Sequence, residues 1–197
     1  MKKNINVINN AGNNVIDVPS VRTELSHLDP GDVFEKNGIE YIVCEQFEDS
    51  RTAVVRKECL DVTMKFGNNN NWKESVWRKY LNDTYLAEIE NIFGKENIVE
   101  HEVDLTSLDG YDDYGVSVDK VSAMNIDRYR NYHKYIGDME KWHYLSTPDS
   151  TLSGIGSSDV QCVYGGGDVD WYYAGHVGSV RPFFILNSNI LVTKNAE

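Results

Sequence analysis

The richest set of recognition-type side chains lies toward the C-terminal end. Trp171-Tyr172-Tyr173 runs as three consecutive aromatics, with Tyr164 upstream across Gly165-Gly166-Gly167. Asp168 and Asp170 lie between them, and His176 follows. Side chains alternate along a strand, so Trp171 and Tyr173 share one face and Tyr172 takes the other. One set is expected in the core and the other on the surface, bounded by Asp168, Asp170 and His176. Stiff aromatic area beside adaptable polar groups is the chemistry of a recognition surface for a protein, or for the ring face of a sugar. Ordinary sheet packing is the alternative.

Signals for catalysis are thin. Among the five histidines, His176 sits in a Gly-flanked loop and is the best placed to touch a ligand. His143, between Trp142 and Tyr144, is read as structural. No histidine stands at metal-ligand spacing from another His or Cys, so no metal site is predicted. Cys44, Cys59 and Cys162 are an odd three without a C-x-x-C pair, which disfavours a disulfide framework. Cys44 and Cys162 are read as small buried apolar residues. The triple glycine precedes Asp168 rather than Lys-Ser/Thr and a helix, so it reads as a strand turn and not a phosphate cradle. Asp109-Gly110-Tyr111-Asp112-Asp113 and the Asp168/Asp170 pair offer carboxylates to calcium, but the first lacks the 12-residue loop pattern. Both are read as solvated acidic loops, and no cofactor is expected.

The elements that must position these groups follow from pattern. Asp29-Pro30-Gly31-Asp32 is a turn, and Asn37-Gly38 is the strongest short hairpin signal. Ile39 to Phe47 then reads as a strand in which Ile39, Tyr41 and Val43 alternate with Glu40, Ile42 and Cys44, and Thr52 to Arg56 reads as its antiparallel partner. Asn71 with Glu74 resembles a capping box for a helix carrying Val76, Trp77, Tyr80 and Leu81 on one face. Asn82-Asp83-Thr84 interrupts it, and Asp83 or Thr84 caps a second helix stopped by Gly94. Ile98 to Leu105 and Lys120 to Met124 read as strands. Asn125 caps a helix with Tyr129, Tyr132, His133 and Ile136 on one face. From Trp142 onward the pattern is all β: Trp142–Leu145, Val160–Tyr164, Val169–Tyr173, Val180–Leu186 and Ile190–Val192. Residues 1–24 read as a polar arm or edge strand, and 25–197 as a single α+β domain.

Composition narrows the function classes. With 197 residues and 41% hydrophobic content, about 70% of the unfolded surface is buried on folding. Nineteen basic residues against 31 acidic ones give a net charge of −12, the wrong sign for direct binding of nucleic acid or an anionic membrane. No window approaches 18 apolar residues, so membrane insertion is not expected. Met1-Lys2-Lys3 is not followed by an apolar stretch, which argues against a signal peptide and for synthesis in a reducing cytoplasm, with a phage particle left open as destination. The oligomeric state is not readable.

Several stretches together resemble a family of small proteins abundant in gut bacteria and their phages. They are Leu28 to Phe34, Asn70-Asn71-Trp72-Lys73-Glu74-Ser75-Val76-Trp77-Arg78-Lys79-Tyr80-Leu81-Asn82, Glu102 to Gly110, Asp113-Tyr114-Gly115, Tyr144-Leu145-Ser146-Thr147-Pro148 and Val180-Arg181-Pro182. The resemblance spans roughly residues 25–193. His143-Tyr144 stands where the family often has a second tryptophan. Trp72, Ser75, Arg78 and Arg181 are carried over as structural signatures, Arg181 as a buried guanidinium bridging strand carbonyls or a carboxylate. More distantly, the pairing of the Tyr144 strand with a Val-Arg-Pro strand is similar to the C-type-lectin-like fold, which implies a ligand surface on the loops between the last strands. Formylglycine-generating members of that fold use paired cysteines, and here Cys162 stands alone.

The expectation is therefore an α+β, C-type-lectin-like domain with an N-terminal β-hairpin, two to three helices and a C-terminal antiparallel sheet. It binds a protein or glycan through the loops and strands of 149–179. An acidic phage-encoded inhibitor of an intracellular host defence protein is the alternative, since carboxylates can mimic phosphate. An enzyme ranks third.

Overall fold

The computed structural model describes residues 21–194. In chain order, β1 (Val21–Glu24) is followed by β2 (Val33–Lys36), β3 (Ile39–Phe47), β4 (Arg51–Arg56) and β5 (Met64–Lys65). Helix α1 (Val76–Tyr80) runs through a π turn (Leu81–Tyr85) into α2 (Leu86–Phe93). Next come β6 (Ile98–Val99), β7 (His101–Asp104), β8 (Val116–Asp119) and β9 (Val121–Ser122), then α3 (Ile126–Ile136). The chain ends in β10 (His143–Pro148), β11 (Asp159–Val163), β12 (Val169–Tyr173), β13 (Val177–Val180), β14 (Phe183–Asn187) and β15 (Leu191–Lys194). The architecture is mixed α+β, as expected. The first 20 residues of the expected arm lie outside the described residues, and Val21–Glu24 forms the edge strand paired with β15.

Eight strands form a curled antiparallel half-barrel in the order β1-β15-β2-β3-β4-β14-β6, with β9 also on β14. Asn37 and Gly38 both take positive φ, 55° and 78°, the paired left-handed geometry of a two-residue hairpin, and join β2 to β3 as predicted. The sheet is covered on both faces. Tyr41, Val43, Val54, Phe184 and Leu186 pack toward α1 and α2. Ile42, Cys44, Val55, Phe183 and Ile185 pack toward α3. Both alternating sets of β3, Tyr41 with Val43 and Ile42 with Cys44, are core.

The second sheet has the order β12-β11-β10-β13-β5 and contains the parallel pair β10–β13. Val180 to Leu186, expected as one strand, divides at Arg181-Pro182 between this sheet and the large one. Pro182 has no N–H for a ladder, and the break lets the chain step between layers. Arg181 sits at the step, 3% exposed, and donates to the carbonyls of Arg56 (2.9 Å), Lys57 (2.8 Å) and Ile136 (3.1 Å). Its partners are three carbonyls and no carboxylate. Ile136 ends α3, where the helix dipole favours a cation.

The helices differ from the sequence reading in two places. Asn71 caps only a 3₁₀ turn, Trp72–Glu74, and Ser75 is the cap of α1, accepting from the Arg78 N–H at 2.9 Å. Asn82-Asp83-Thr84 neither stops a helix nor caps one, because the π turn carries the chain through. It keeps Leu81 and Tyr85 both buried. It also turns Asn82 to the β8–β9 junction, where its side chain accepts from Lys120 and Val121 N–H and donates to Val121 O. Asn125 caps α3 as expected, and Thr147 of β10 accepts the Ile126 N–H at 2.8 Å. His133, grouped on one face of α3 with Tyr129 and Ile136 by its spacing, is exposed while those two are buried.

Candidate functional site

Strands β11 and β12 form a regular hairpin from Asp159↔Tyr173 to Val163↔Val169, closed by the glycine turn. Trp171 and Tyr173 are each 53% exposed, while Tyr172 turns inward. Tyr172 stacks on Trp142 with ring centroids 5.1 Å apart and planes at 29°, and His176 meets it edge-on at 4.6 Å. Tyr164 joins the same stack beside Trp142. The aromatic run thus divides as alternation requires, into an exposed pair and an inward set packed on the main core. Around it lies an open, shallow depression of about 400 Å³ lined by Tyr164, Asp170, Trp171, Tyr172, Tyr173 and His176. Asp168 is not among these residues. It follows the glycine turn, which packs against Asp138 and Tyr129.

The frame under the depression is rigid. Tyr144 donates its hydroxyl hydrogen to the carbonyls of Tyr173 (2.8 Å) and His176 (3.2 Å). β12 is the outer strand of its sheet, and Asp170 Oδ1 accepts the N–H of Trp171 at 2.8 Å. A charged residue that occupies an edge N–H discourages strand-to-strand aggregation.

Two long loops meet at one end of this sheet. Ser150 Oγ donates to Asp109 (2.7 Å) and accepts the Ile155 N–H (3.0 Å). Ser153 donates through its hydroxyl and its N–H to Asp113. Asp109 is held below the ordinary carboxylate range by the Ser107 hydroxyl first and then by Ser150, and Asp113 by Thr151 first and then by Ser153. Asn70, fully buried, braces the loops from below. It donates to the carbonyls of Ser150 and Asp159 and accepts from the Tyr114 hydroxyl, all at 2.8 Å. The pinned loop 149–158 displays Leu152 and Ile155, 80% and 89% exposed. Reading the aromatics alone missed these two residues. The available signal was a pair of aliphatics three apart in a Ser/Gly-rich loop.

The charge is also segregated. Residues 96–119 and 142–180 hold 12 of the 31 acidic residues and none of the 19 lysines and arginines, which leaves 19 against 19 elsewhere. These segments include the loop end, where Asp109, Asp112, Asp113, Asp149 and Asp159 stand without a lysine or arginine beside them in sequence, while Asp119 lies buried against Arg78. Burial first, and then the nearby charges of Asp159, Asp109 and Asp170, push the Asp149 carboxyl up. Among the described residues, none of these four forms an ion pair.

The signature residues act behind the site. Trp72 Nε1 donates to Asp119 Oδ2 at 2.8 Å, and Arg78 Nε to Asp119 Oδ1 at 2.7 Å. Ser117 Oγ adds a third donor at 3.1 Å. Trp72 and Arg78 thereby fasten the helical layer to β8.

The three cysteines, His101 and His143 are withdrawn from solvent. Cys44, Cys59 and Cys162 are free and buried, and burial pushes the Cys59 thiol up to about 11 and the Cys162 thiol to about 12. His143 is 4% exposed and lowered to about 4 by burial, and His101 to about 3. Among the described residues, no three His, Cys, Asp or Glu side chains are grouped to share a metal ion. A second cleft, about 440 Å³, is lined by Lys57, Lys141 and Arg181 and by Glu58, Asp138 and Glu140, so its charges balance. No described helix is long and apolar enough to cross a membrane. Comparison with family models, with curated proteins and with solved structures finds no match to this chain.

Proposed function

We propose that this chain is a non-enzymatic binding module that recognises a protein or glycan through the loops and strands of 149–179. The observation that carries the reading is the exposed pair Trp171 and Tyr173 on a braced edge strand, beside an open depression that also gathers Tyr172, His176 and Asp170. Half-exposed aromatics on a rigid frame give contact area at little ordering cost. We also propose a C-type-lectin-like core and kinship with the phage-associated gut-bacterial family. Three features support this. The first and last described strands pair, helices lie between them, and the motif residues Asn70, Trp72, Ser75, Arg78 and Asn82 each make a specific structural bond.

The test is parallel capture of ligands from host-cell envelope and from cytosol by the tagged chain, with Trp171→Ala and Tyr173→Ala as controls. Envelope material held by the wild type and lost by both variants supports the reading. Equal retention by wild type and variants overturns the placement. A second reading, an acidic inhibitor of an intracellular host defence protein, is favoured by the run of acidic residues without lysine or arginine through residues 96–119 and 142–180. It predicts salt-sensitive capture of one cytosolic protein.

A further inference from the structure

We infer that the loop end docks a partner protein whose surface is positively charged around an apolar cleft, with Leu152 and Ile155 as the inserted anchors. The inference rests on the binding-module reading and adds the partner's chemistry to it.

Two large aliphatics at 80% and 89% exposure are the most solvent-exposed apolar side chains of the described residues. Their loop is held in one shape before any partner arrives. Ser150 and Ser153 tie it to Asp109 and Asp113, and the N–H groups of Gly154 and Gly156 close back on the Thr151 carbonyl at 3.0 and 3.1 Å. Gly154 lies so close to the neighbouring loop that a Cβ there would come within 2.7 Å of the Tyr111 ring and 2.2 Å of Ser150 Oγ. Exposed aliphatics on an ordered loop bind with little entropy left to lose. Central apolar anchors within a polar rim are the usual anatomy of a protein interface.

The rim selects the occupant. Asp109, Asp113, Asp149 and Asp159 surround or support this loop, and neither segment that builds it holds a lysine or arginine. A second copy would bring the same charges together. An anionic membrane or nucleic acid would be repelled for the same reason. Sugars stack on flat aromatic faces, which Leu152 and Ile155 do not offer. A basic protein surface with a cleft for two aliphatics satisfies both features, and the opposed charges would speed association.

The experiment pans the full chain against a display library of random 12-residue peptides, then measures synthetic versions of the enriched peptides by fluorescence anisotropy. Leu152→Asp, Ile155→Asp and Asp113→Asn are run beside the wild type, with thermal melts to show that each variant is folded. The expected peptides carry Lys or Arg around an apolar or aromatic residue. Their affinity should fall at least tenfold between 50 and 300 mM NaCl (roughly, for several screened charge pairs) and about thirtyfold or more in either aspartate variant. A glycan array is probed in parallel. Neutral or acidic peptides, or affinities unchanged in folded Ile155→Asp, overturn the inference. Glycan binding that is lost in Trp171→Ala and kept in Ile155→Asp also overturns it but upholds the binding-module reading. No ligand in either arm overturns both.

Discussion

Replacing Asp119 by alanine tests whether the Trp72–Arg78 signature is a structural clamp. The Asp119 side chain is fully buried and accepts from Trp72 Nε1, Arg78 Nε and Ser117 Oγ. Trp72 is also fully buried, so its N–H would lose its partner, at about 1–3 kcal/mol. The Arg78 side chain is 34% exposed and can turn to solvent. The loss there is therefore about 1 kcal/mol rather than the 3–5 kcal/mol of a fully buried pair. The sum is about 3 kcal/mol, which for a chain of this size lowers Tm by about 6–12 °C. Urea unfolding followed by tryptophan fluorescence reads it directly. In the cycle with Trp72→Phe, the two changes should fall short of additive by about 1 kcal/mol or more, because they share one hydrogen bond. A loss under about 1 kcal/mol for Asp119→Ala, or strict additivity with Trp72→Phe, would refute the clamp.

Acid should weaken the fold before most carboxylates titrate. His101 and His143 are held at about 3 and about 4, below the usual 6.5, so the unfolded chain binds their protons first and stability falls as pH drops below 6.5. The loss reaches up to about 4 kcal/mol between pH 7 and 5, at about 1.4 kcal/mol per unit and per histidine. Urea midpoints across that window should flatten in His143→Gln, and an unchanged slope would count against the burial argument. Arg181→Lys keeps the charge but cannot reach three carbonyls on different elements, and should cost about 2–4 kcal/mol by urea unfolding. A loss under about 0.5 kcal/mol would show that the guanidinium fork is dispensable. Gly154→Ala should disorder the loop tip, seen as faster amide exchange at Gly154 to Gly156 with Tm within about 3 °C of wild type. Unchanged exchange would mean that Tyr111 does not limit the loop.

The legible parts of the fold were those with local causes. Asn37-Gly38 dictates its hairpin through positive φ, and the Val160–Tyr164 and Val169–Tyr173 pair follows from alternation about a glycine turn. The division of Trp171 and Tyr173 from Tyr172 came from the same period of two. What escaped depended on distant partners. Asn82 looks like a helix stop until the β8–β9 junction it bonds is known. Arg181-Pro182 looks like mid-strand until two sheets are seen to meet there. Both faces of β3 are buried because α3 covers one side and α2 the other, which no local pattern records. At the candidate site the aromatics were legible by residue type. Leu152 and Ile155 were not, because their exposure is set by bonds from Asp109, Asp113 and Asn70 across the loops.

The strand order of the large sheet also dictates when the protein can fold. β15 lies between β1 and β2, and β14 lies between β4 and β6 while also holding β9. Residues 183–194 thus supply two interior strands, so the half-barrel has a gap until those residues have left the ribosome. The hairpins of residues 33–56 must wait with an apolar edge open. Closure then depends on contacts as distant in sequence as Val21 and Lys194, a topology that slows folding and favours late, all-at-once assembly. A nascent chain halted before Phe183 should remain protease-sensitive through β4, and one extended past Lys194 should become resistant in a single step.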